Sequence, residues 1–245
     1  MSHISQLESS TKHKITNGED ETQEVPLNWP VDVTFLSDHI YTAAALEERP
    51  KLGRGSSDDS TWLKVAPNLI HRISPLVQIL TINDEKHPAN GQRGLFAAQH
   101  LKPDQFILLY MGEVHLNSQS DTDPHSDYDL NLDRELGLSV DATKAGNESR
   151  HANDYRSIAE RPNAEFRDCF IQVKSTKRTD GIRWERRVGI FVLPAGKAGK
   201  RKGGIQAGEE ILVNYGKGFW EARRLLGSFR GDAEMVRIAK IALQF

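Results

Sequence analysis

The chain has 245 residues, 38 % of them hydrophobic and 27 % charged, enough for one large domain or a domain with an appendage. A formal net charge of -2 gives no general reason to expect nucleic acid as a partner, and a single cysteine, Cys169, excludes an internal disulfide framework or a cysteine-rich zinc site built by one chain. With no run of about 18 apolar residues and no apolar signal core in "MSHISQLESSTKHKITNGEDETQE", neither a membrane span nor a secretory leader is expected, and the expectation is a soluble intracellular protein.

Residues 1–25 are rich in Ser, Thr, Glu, Asp and Lys and are expected to form a disordered tail. Residues 26–90 read as a flank of helix and strand. Within it, Phe35, Leu36, Ile40, Ala43, Ala44 and Leu46 recur at helical spacing, which predicts one amphipathic helix from 30 to 48 that Pro50 cannot continue. "GRGSSDDS" is a loop by composition, and "SPLVQILTI" (74–82) is the first strand candidate.

The middle of the chain becomes a series of short apolar runs bounded by Gly, Pro, Asp or Asn: "RGLFAAQHL", "DQFILLYMGEV", "FRDCFIQV", "WERRVGIFVLP" and "EEILVNYG". Thr179-Asp180-Gly181 fits a tight hairpin between two of them. No helices alternate with these strands as a parallel sheet requires, so the fold class is a β-rich α+β arrangement of small antiparallel sheets. Cys169, inside an apolar run, reads as a core residue. "PAGKAGKRKGGIQ" (194–206) is a Gly-rich basic insertion, either a solvated loop or a contact for an acidic partner. Two C-terminal helices are expected, "GFWEARRLLGSF" with Phe219, Trp220, Leu225, Leu226 and Phe229 near one face, and "DAEMVRIAKIALQF" capped by Asp232. One decapeptide stands out: "GNESRHANDY" (146–155) is almost wholly polar yet lies between strand candidates, so its polar groups need partners.

Three segments in order resemble the SET-domain family of protein lysine methyltransferases. They are "RGLFAAQHLKPDQFILLYMGE" (93–113), "DATKAGNESRHANDY" (141–155) followed by "RPNAEF" (161–166), and "VGIFVLP" with "IQAGEEILVNYG" (188–216). The resemblance implies a SET domain at 91–218 whose small sheets surround a threaded pseudoknot, with residues 219–245 as helices packed on it. It implies S-adenosylmethionine as the cofactor, which would supply the partners of the polar decapeptide, and a protein or peptide lysine as substrate, a histone tail among the options. A catalytically degenerate binding module of the same fold is the alternative.

Methyl transfer to an amine needs a neutral nitrogen, in-line alignment and a dry channel, and no general base of neutral pKa. The resemblance places Tyr215 at that centre and offers Tyr110 and Tyr128 as either channel or core residues. It implies cofactor contacts at Gln92, Arg93, Gly94, Leu95, Tyr128, Arg150, His151, Asn153, Asp154, Tyr215 and Trp220, although the helical spacing of Trp220 also reads as a core anchor. The chain departs from the family at several places. Gln92 stands for a glycine, Asp154 for histidine, Tyr155 for a small residue, Val213 for a frequent Phe or Tyr, and Asn214 for aspartate. "RSIAE" replaces the usual Ser-Cys, and the cysteine-rich zinc segment is missing, so Phe219 and Trp220 are expected to close the channel. The nine histidines show no metal spacing. A monomer is expected, in the nucleus or the cytoplasm, touching neither membrane nor nucleic acid directly.

Overall fold

The computed structural model describes residues 12–16, 22–53, 61, 63–118, 120–123, 125–175, 181–196 and 203–228. The N-terminal third departs most from expectation. Strand β1 (Lys12–Thr16) pairs antiparallel with β2 (Thr22–Pro26), so part of the expected tail is sheet. Val25 at its end is buried in a cluster with Trp29, Val33, Phe35 and Ile79, and this burial offsets the ordering of an otherwise polar stretch.

The expected helix over 30–48 is likewise corrected. Its first part is extended, forming β3 (Thr34–Phe35) and β4 (Ile40–Tyr41), and only Ala43–Glu48 is helical (α1). The Thr42 hydroxyl caps α1 by accepting the Ala45 N–H at 3.3 Å. Long-range pairing overrides the local period: β3 runs parallel to Ala145–Gly146 and β4 parallel to Glu113–Val114. Four of the supposed core positions, Ile40, Ala43, Ala44 and Leu46, are exposed.

The remaining strand candidates all appear. Strand β5 (Val77–Thr81) pairs along its length with β6 (Arg93–Ala97), so one sheet crosses the expected boundary at residue 90. Then follow β7 (Phe106–Leu109), β8 (Glu113–Leu116), β9 (Asp129–Asp133), β10 (Leu138–Asp141), β11 (Ala145–Gly146), β12 (Asn153–Asp154), β13 (Ala164–Lys174), β14 (Ile182–Val192) and β15 (Leu212–Val213). Helix α2 (Lys217–Ser228) matches the first predicted C-terminal helix; the second, at 232–245, lies outside the described residues, as do the side chains of Leu225 and Leu226 and the whole of Phe229.

Strands β4, β8, β10 and β9 form one sheet in that order, and β13, β14 and β7 another. All four residues of β7 are buried, as a strand covered on both faces should be. The β13/β14 hairpin has 11 residues on each arm; of the expected turn only Gly181 is described, with φ +66°. Pairing is not wholly antiparallel, since β3–β11, β4–β8 and β12–β15 are short parallel pairs. The class remains β-rich α+β. Cys169 is fully buried, and burial pushes its thiol up to about 12, as a core cysteine requires.

The segment 208–215 is held on both sides, and this positions the site. On one side Ile211 donates its N–H to Leu95 and Ala97 donates to Glu209. On the other, β12 lies parallel to β15, Tyr155 donates to Val213, and the Asn163 side chain both donates to the Glu210 carbonyl and accepts from the Leu212 N–H, each at 2.8 Å. Asn163 is therefore a clamp between the two segments.

Much of the polar decapeptide finds partners inside the protein, while the buried Nε2 of His151 has none. Asn147 donates to the Leu109 carbonyl at 2.9 Å and accepts from the Met111 N–H at 3.2 Å and the Ser149 hydroxyl at 2.6 Å. Glu148 accepts the Ser74 N–H at 2.8 Å, and burial pushes its carboxyl up to about 7. Arg150 donates to the Ala142 carbonyl at 2.9 Å. Between β11 and β12 these side chains supply the hydrogen-bond partners that strand ladders supply on either side.

Candidate functional site

A cleft of about 390 Å³ opens where β7, β9, the 149–152 turn and the start of α2 converge. Tyr110, Tyr128 and Tyr215 all line it, together with Phe166, Phe219 and Arg150. Tyr110 leaves the end of β7, and its hydroxyl donates to the Tyr128 carbonyl at 2.7 Å. Tyr215 follows β15, and its hydroxyl donates to the Ala152 carbonyl at 2.9 Å. Each phenol spends its proton on a backbone carbonyl, which leaves oxygen lone pairs as its remaining hydrogen-bonding capacity.

Both phenols are held well above their ordinary pKa. Burial is the main cause for each, followed by Asp141 and Tyr215 around Tyr110 and by Tyr128 and Asp154 around Tyr215. They stay protonated at physiological pH and act as fixed dipoles rather than bases. Phe166 packs edge-on to Tyr110 with centroids 5.7 Å apart, and Phe219 edge-on to Tyr215 at 4.8 Å, so the two hydroxyls sit beside apolar walls. The Arg150 guanidinium lies 4.3 Å from the centroid of the Tyr128 ring.

Asn153 lies one strand away, on β12. Its amide nitrogen donates to Glu210 Oε1 at 2.8 Å, with a longer 3.5 Å contact to the Arg93 carbonyl. Glu210 also accepts from His87 Nε2 at 3.1 Å, while His87 Nδ1 takes the Ala89 N–H at 3.0 Å, which fixes the proton on Nε2. This chain of bonds orients the Asn153 amide. Glu210 also explains Gly94: a Cβ there would meet Glu210 Oε1 and Phe96 Cε2, both at 2.8 Å. The glycine makes room for the carboxylate.

Asp154, in place of the family histidine, is nearly buried and accepts the Tyr215 N–H at 2.8 Å. Asn214 preserves an acceptor where the family has aspartate, its side-chain oxygen taking the Gly216 N–H at 2.9 Å. Gly216, with φ +88°, then turns the chain into α2. Across the cleft mouth Arg223 on α2 pairs with both carboxylate oxygens of Asp127, one of them at 2.9 Å.

The structure thus gathers Tyr110, Tyr128, Arg150 and Tyr215 around one cleft and leaves the other predicted contacts off its lining. Asn153 and Asp154 stand behind it on β12. Gln92 and Arg93 are exposed at the β6 turn, and Leu95 is a fully buried core residue whose carbonyl serves segment 208–215. His151 packs edge-on to Trp29 at 5.7 Å, and burial, with Arg150 and Arg93 nearby, pushes its pKa down to about 3, so it is a neutral core ring. Trp220 is 41 % exposed, which corrects the core-anchor reading; its ring sits edge-on to Phe219 at 5.2 Å. Sequence reasoning missed His87, Glu210, Phe166 and Asp127. Among the described residues no group of three or more His, Cys, Asp or Glu is placed to hold a metal, and no helix is long and apolar enough to cross a membrane.

No family model matches the chain. A curated relative, histone-lysine N-methyltransferase EHMT1 of Homo sapiens, is 26 % identical over 152 residues, covering 61 % of this chain and 10 % of that protein. The chain therefore spans about a tenth of that relative's length. Among solved structures, the humanized mutant of the Chaetomium thermophilum Polycomb Repressive Complex 2 bound to the inhibitor GSK343 is 24 % identical, covering 56 % of this chain and 15 % of that chain, with a TM-score of 0.39. The same complex (ctPRC2) in an autoinhibited conformation bound to S-adenosylmethionine is 23 % identical, covering 62 % and 17 %, with a TM-score of 0.40. At these scores the structural likenesses add nothing to the local geometry. The ordered motif segments, folded here as adjoining strands around Tyr215, and the 26 % identity to EHMT1 both make the chain similar to the SET-domain family.

Proposed function

We propose that the chain is an S-adenosylmethionine-dependent protein lysine N-methyltransferase acting on a histone or another protein. The observation that supports this most is the pair of phenols, Tyr215 and Tyr110, that face one cleft with their protons committed to backbone carbonyls. The phenol oxygens in this cleft of about 390 Å³ suit an amine donor such as a lysine side chain, with the predicted cofactor contacts at Asn153 standing behind it. Bound S-adenosylmethionine supplies an electrophilic methyl group on a positively charged sulfur.

The residues present define the rest. Tyr215 and Tyr110 accept hydrogen bonds from a neutral lysine amine and orient its lone pair; Phe166 and Phe219 exclude water. Neither phenol takes a proton, so the amine arrives deprotonated from solvent. Asn153, with its nitrogen committed to Glu210, keeps its carbonyl oxygen as an acceptor and would hold the ammonium of the cofactor's amino-acid end. Incubating the chain with labelled S-adenosylmethionine and either histones or whole-cell extract tests the reading. Label on lysine supports it; no transfer by a folded chain to either pool overturns it.

One observation favours the degenerate binding module. A Cβ at Gly94 would meet Glu210 Oε1 at 2.8 Å and the Asn153 amide is bonded to the same oxygen, so the Glu210 carboxylate stands among the residues predicted to touch a cofactor. Peptide binding without any cofactor binding would select that reading.

A further inference from the structure

The carboxylate of Asp154 joins three elements that meet at the cleft. It projects from β12, accepts the Tyr215 N–H at 2.8 Å and the Arg156 N–H at 2.9 Å, and pairs with the Arg156 guanidinium at 2.8 and 3.1 Å. The Trp220 indole of α2 reaches the same Oδ2 at 3.4 Å. Arg156 extends the link, donating to Asn214 Oδ1 at 3.1 Å and lying 5.8 Å from the Trp220 ring centroid. The Asp154 side chain is only 5 % exposed, so its carboxylate is shielded, while the Arg156 and Trp220 side chains that reach it remain partly open to water.

Tyr215 consequently has two handles on one segment. Its amide is held by Asp154 and its hydroxyl by the Ala152 carbonyl, two residues earlier. The register of β12 on β15, with Asp154 opposite Val213, places that carboxylate under the residue two positions further on. Asn153 faces Glu210 instead. We infer that Asp154 is a positioning residue that locks the Tyr215 loop and α2 together over the cleft. The inference deepens the methyltransferase reading and rests on it for its catalytic consequence, since Asp154 does not itself line the cleft.

Without the carboxylate the Tyr215 amide loses its acceptor, and the phenol keeps one tether. A misplacement of about 1 Å at a reacting centre costs on the order of 100-fold in rate. Substrate contacts made by the cleft walls are untouched. The expected signature is a fall in kcat with KM for the lysine peptide unchanged.

The test compares the full chain with Asp154→Asn and Asp154→Ala by amide hydrogen exchange and by methyl-transfer kinetics. Asparagine keeps one acceptor oxygen and places an NH2 among donors, so it should be intermediate. Protection of the Tyr215 amide and kcat should fall in the order wild type, Asp154→Asn, Asp154→Ala, with kcat reduced roughly 10-fold and 100-fold. The Tyr155 amide, bonded to Val213 at 3.0 Å, should stay protected in all three and so certify the β12–β15 pair. If the alanine variant does not fold, the asparagine variant decides. Unchanged protection at Tyr215, or unchanged kcat, overturns the inference. If the wild type transfers no methyl group, the methyltransferase reading falls, and the exchange data alone decide whether Asp154 holds the loop.

Discussion

Replacing Tyr215 by phenylalanine removes one oxygen and little else. The ring keeps its edge contact with Phe219 at 4.8 Å and its backbone bond to Asp154, so the wall of the cleft should persist. The lost hydroxyl gave a 2.9 Å bond to the Ala152 carbonyl, worth about 1 kcal/mol of stability. The effect on the reaction should be larger, because a fixed dipole aimed at the reacting centre in a dry site contributes about 3–4 kcal/mol to the transition state. A fall in kcat of roughly 10² to 10³-fold follows, with cofactor affinity within about threefold of wild type. Single-turnover methyl transfer followed by mass spectrometry, alongside a urea melt, reads both quantities. A variant that transfers within about threefold of wild type would refute the placement of Tyr215 at the methyl-transfer centre.

Three other perturbations have defined outcomes. Glu148 is raised by burial from 4.5 to about 7, so the fold favours its protonated form; stability is full below pH 4.5 and declines as pH rises toward 7, by roughly 3 kcal/mol. Glu148→Gln should flatten that decline in urea melts at pH 5 and pH 8, and an unchanged slope would contradict the assignment. Glu185 is fully buried among Arg49, Arg183 and Arg187; burial alone would raise its carboxyl, but Arg187 and Arg49 outweigh it and hold it low, so its contribution is present at neutral pH and lost as pH falls below about 4.5. Glu185→Ala leaves the fully buried Arg187 without that partner and should cost about 3–5 kcal/mol; a loss under about 1 kcal/mol would show the cluster to be dispensable. His87→Ala removes the partner that steadies Glu210 and Asn153 and should weaken cofactor binding roughly fivefold by calorimetry, whereas unaltered affinity would detach that chain of bonds from the site.

Much of the fold was legible because the strands carry their own period and punctuation. Runs such as "FILL" and "RGLFA" became β7 and β6 where composition placed them. The three tyrosines were legible only through the motif resemblance, since a strand-end tyrosine carries no local mark of a cleft. The stretch 30–48 misled because apolar residues at helical spacing were claimed by parallel partners more than 70 residues away, as with Ile40 and Glu113. The β1/β2 pair had a signal that went unused, Ile15-Thr16 and Val25 flanking Asn17-Gly18, a dipeptide favoured in hairpin turns. The roles of Glu210 and Asp154 were hidden for a different reason. Glu210 meets His87 from 123 residues away, and Asp154 meets Tyr215 from 61. Separations of that size leave no pattern in a single chain. The decapeptide "GNESRHANDY" showed correctly that partners were needed, but not that Leu109, Met111, Ser74 and Ala142 would supply them.

On the proposed reading S-adenosylmethionine is held at Asn153, behind the cleft that Tyr215 lines. Calorimetric titration of that compound into the wild-type chain and into Asn153→Ala tests it most directly. Micromolar binding by the wild type, weakened by about tenfold or more in the variant through loss of roughly 1.4 kcal/mol, is the predicted result. Absence of binding by a folded wild-type chain, or equal binding by both proteins, would contradict it.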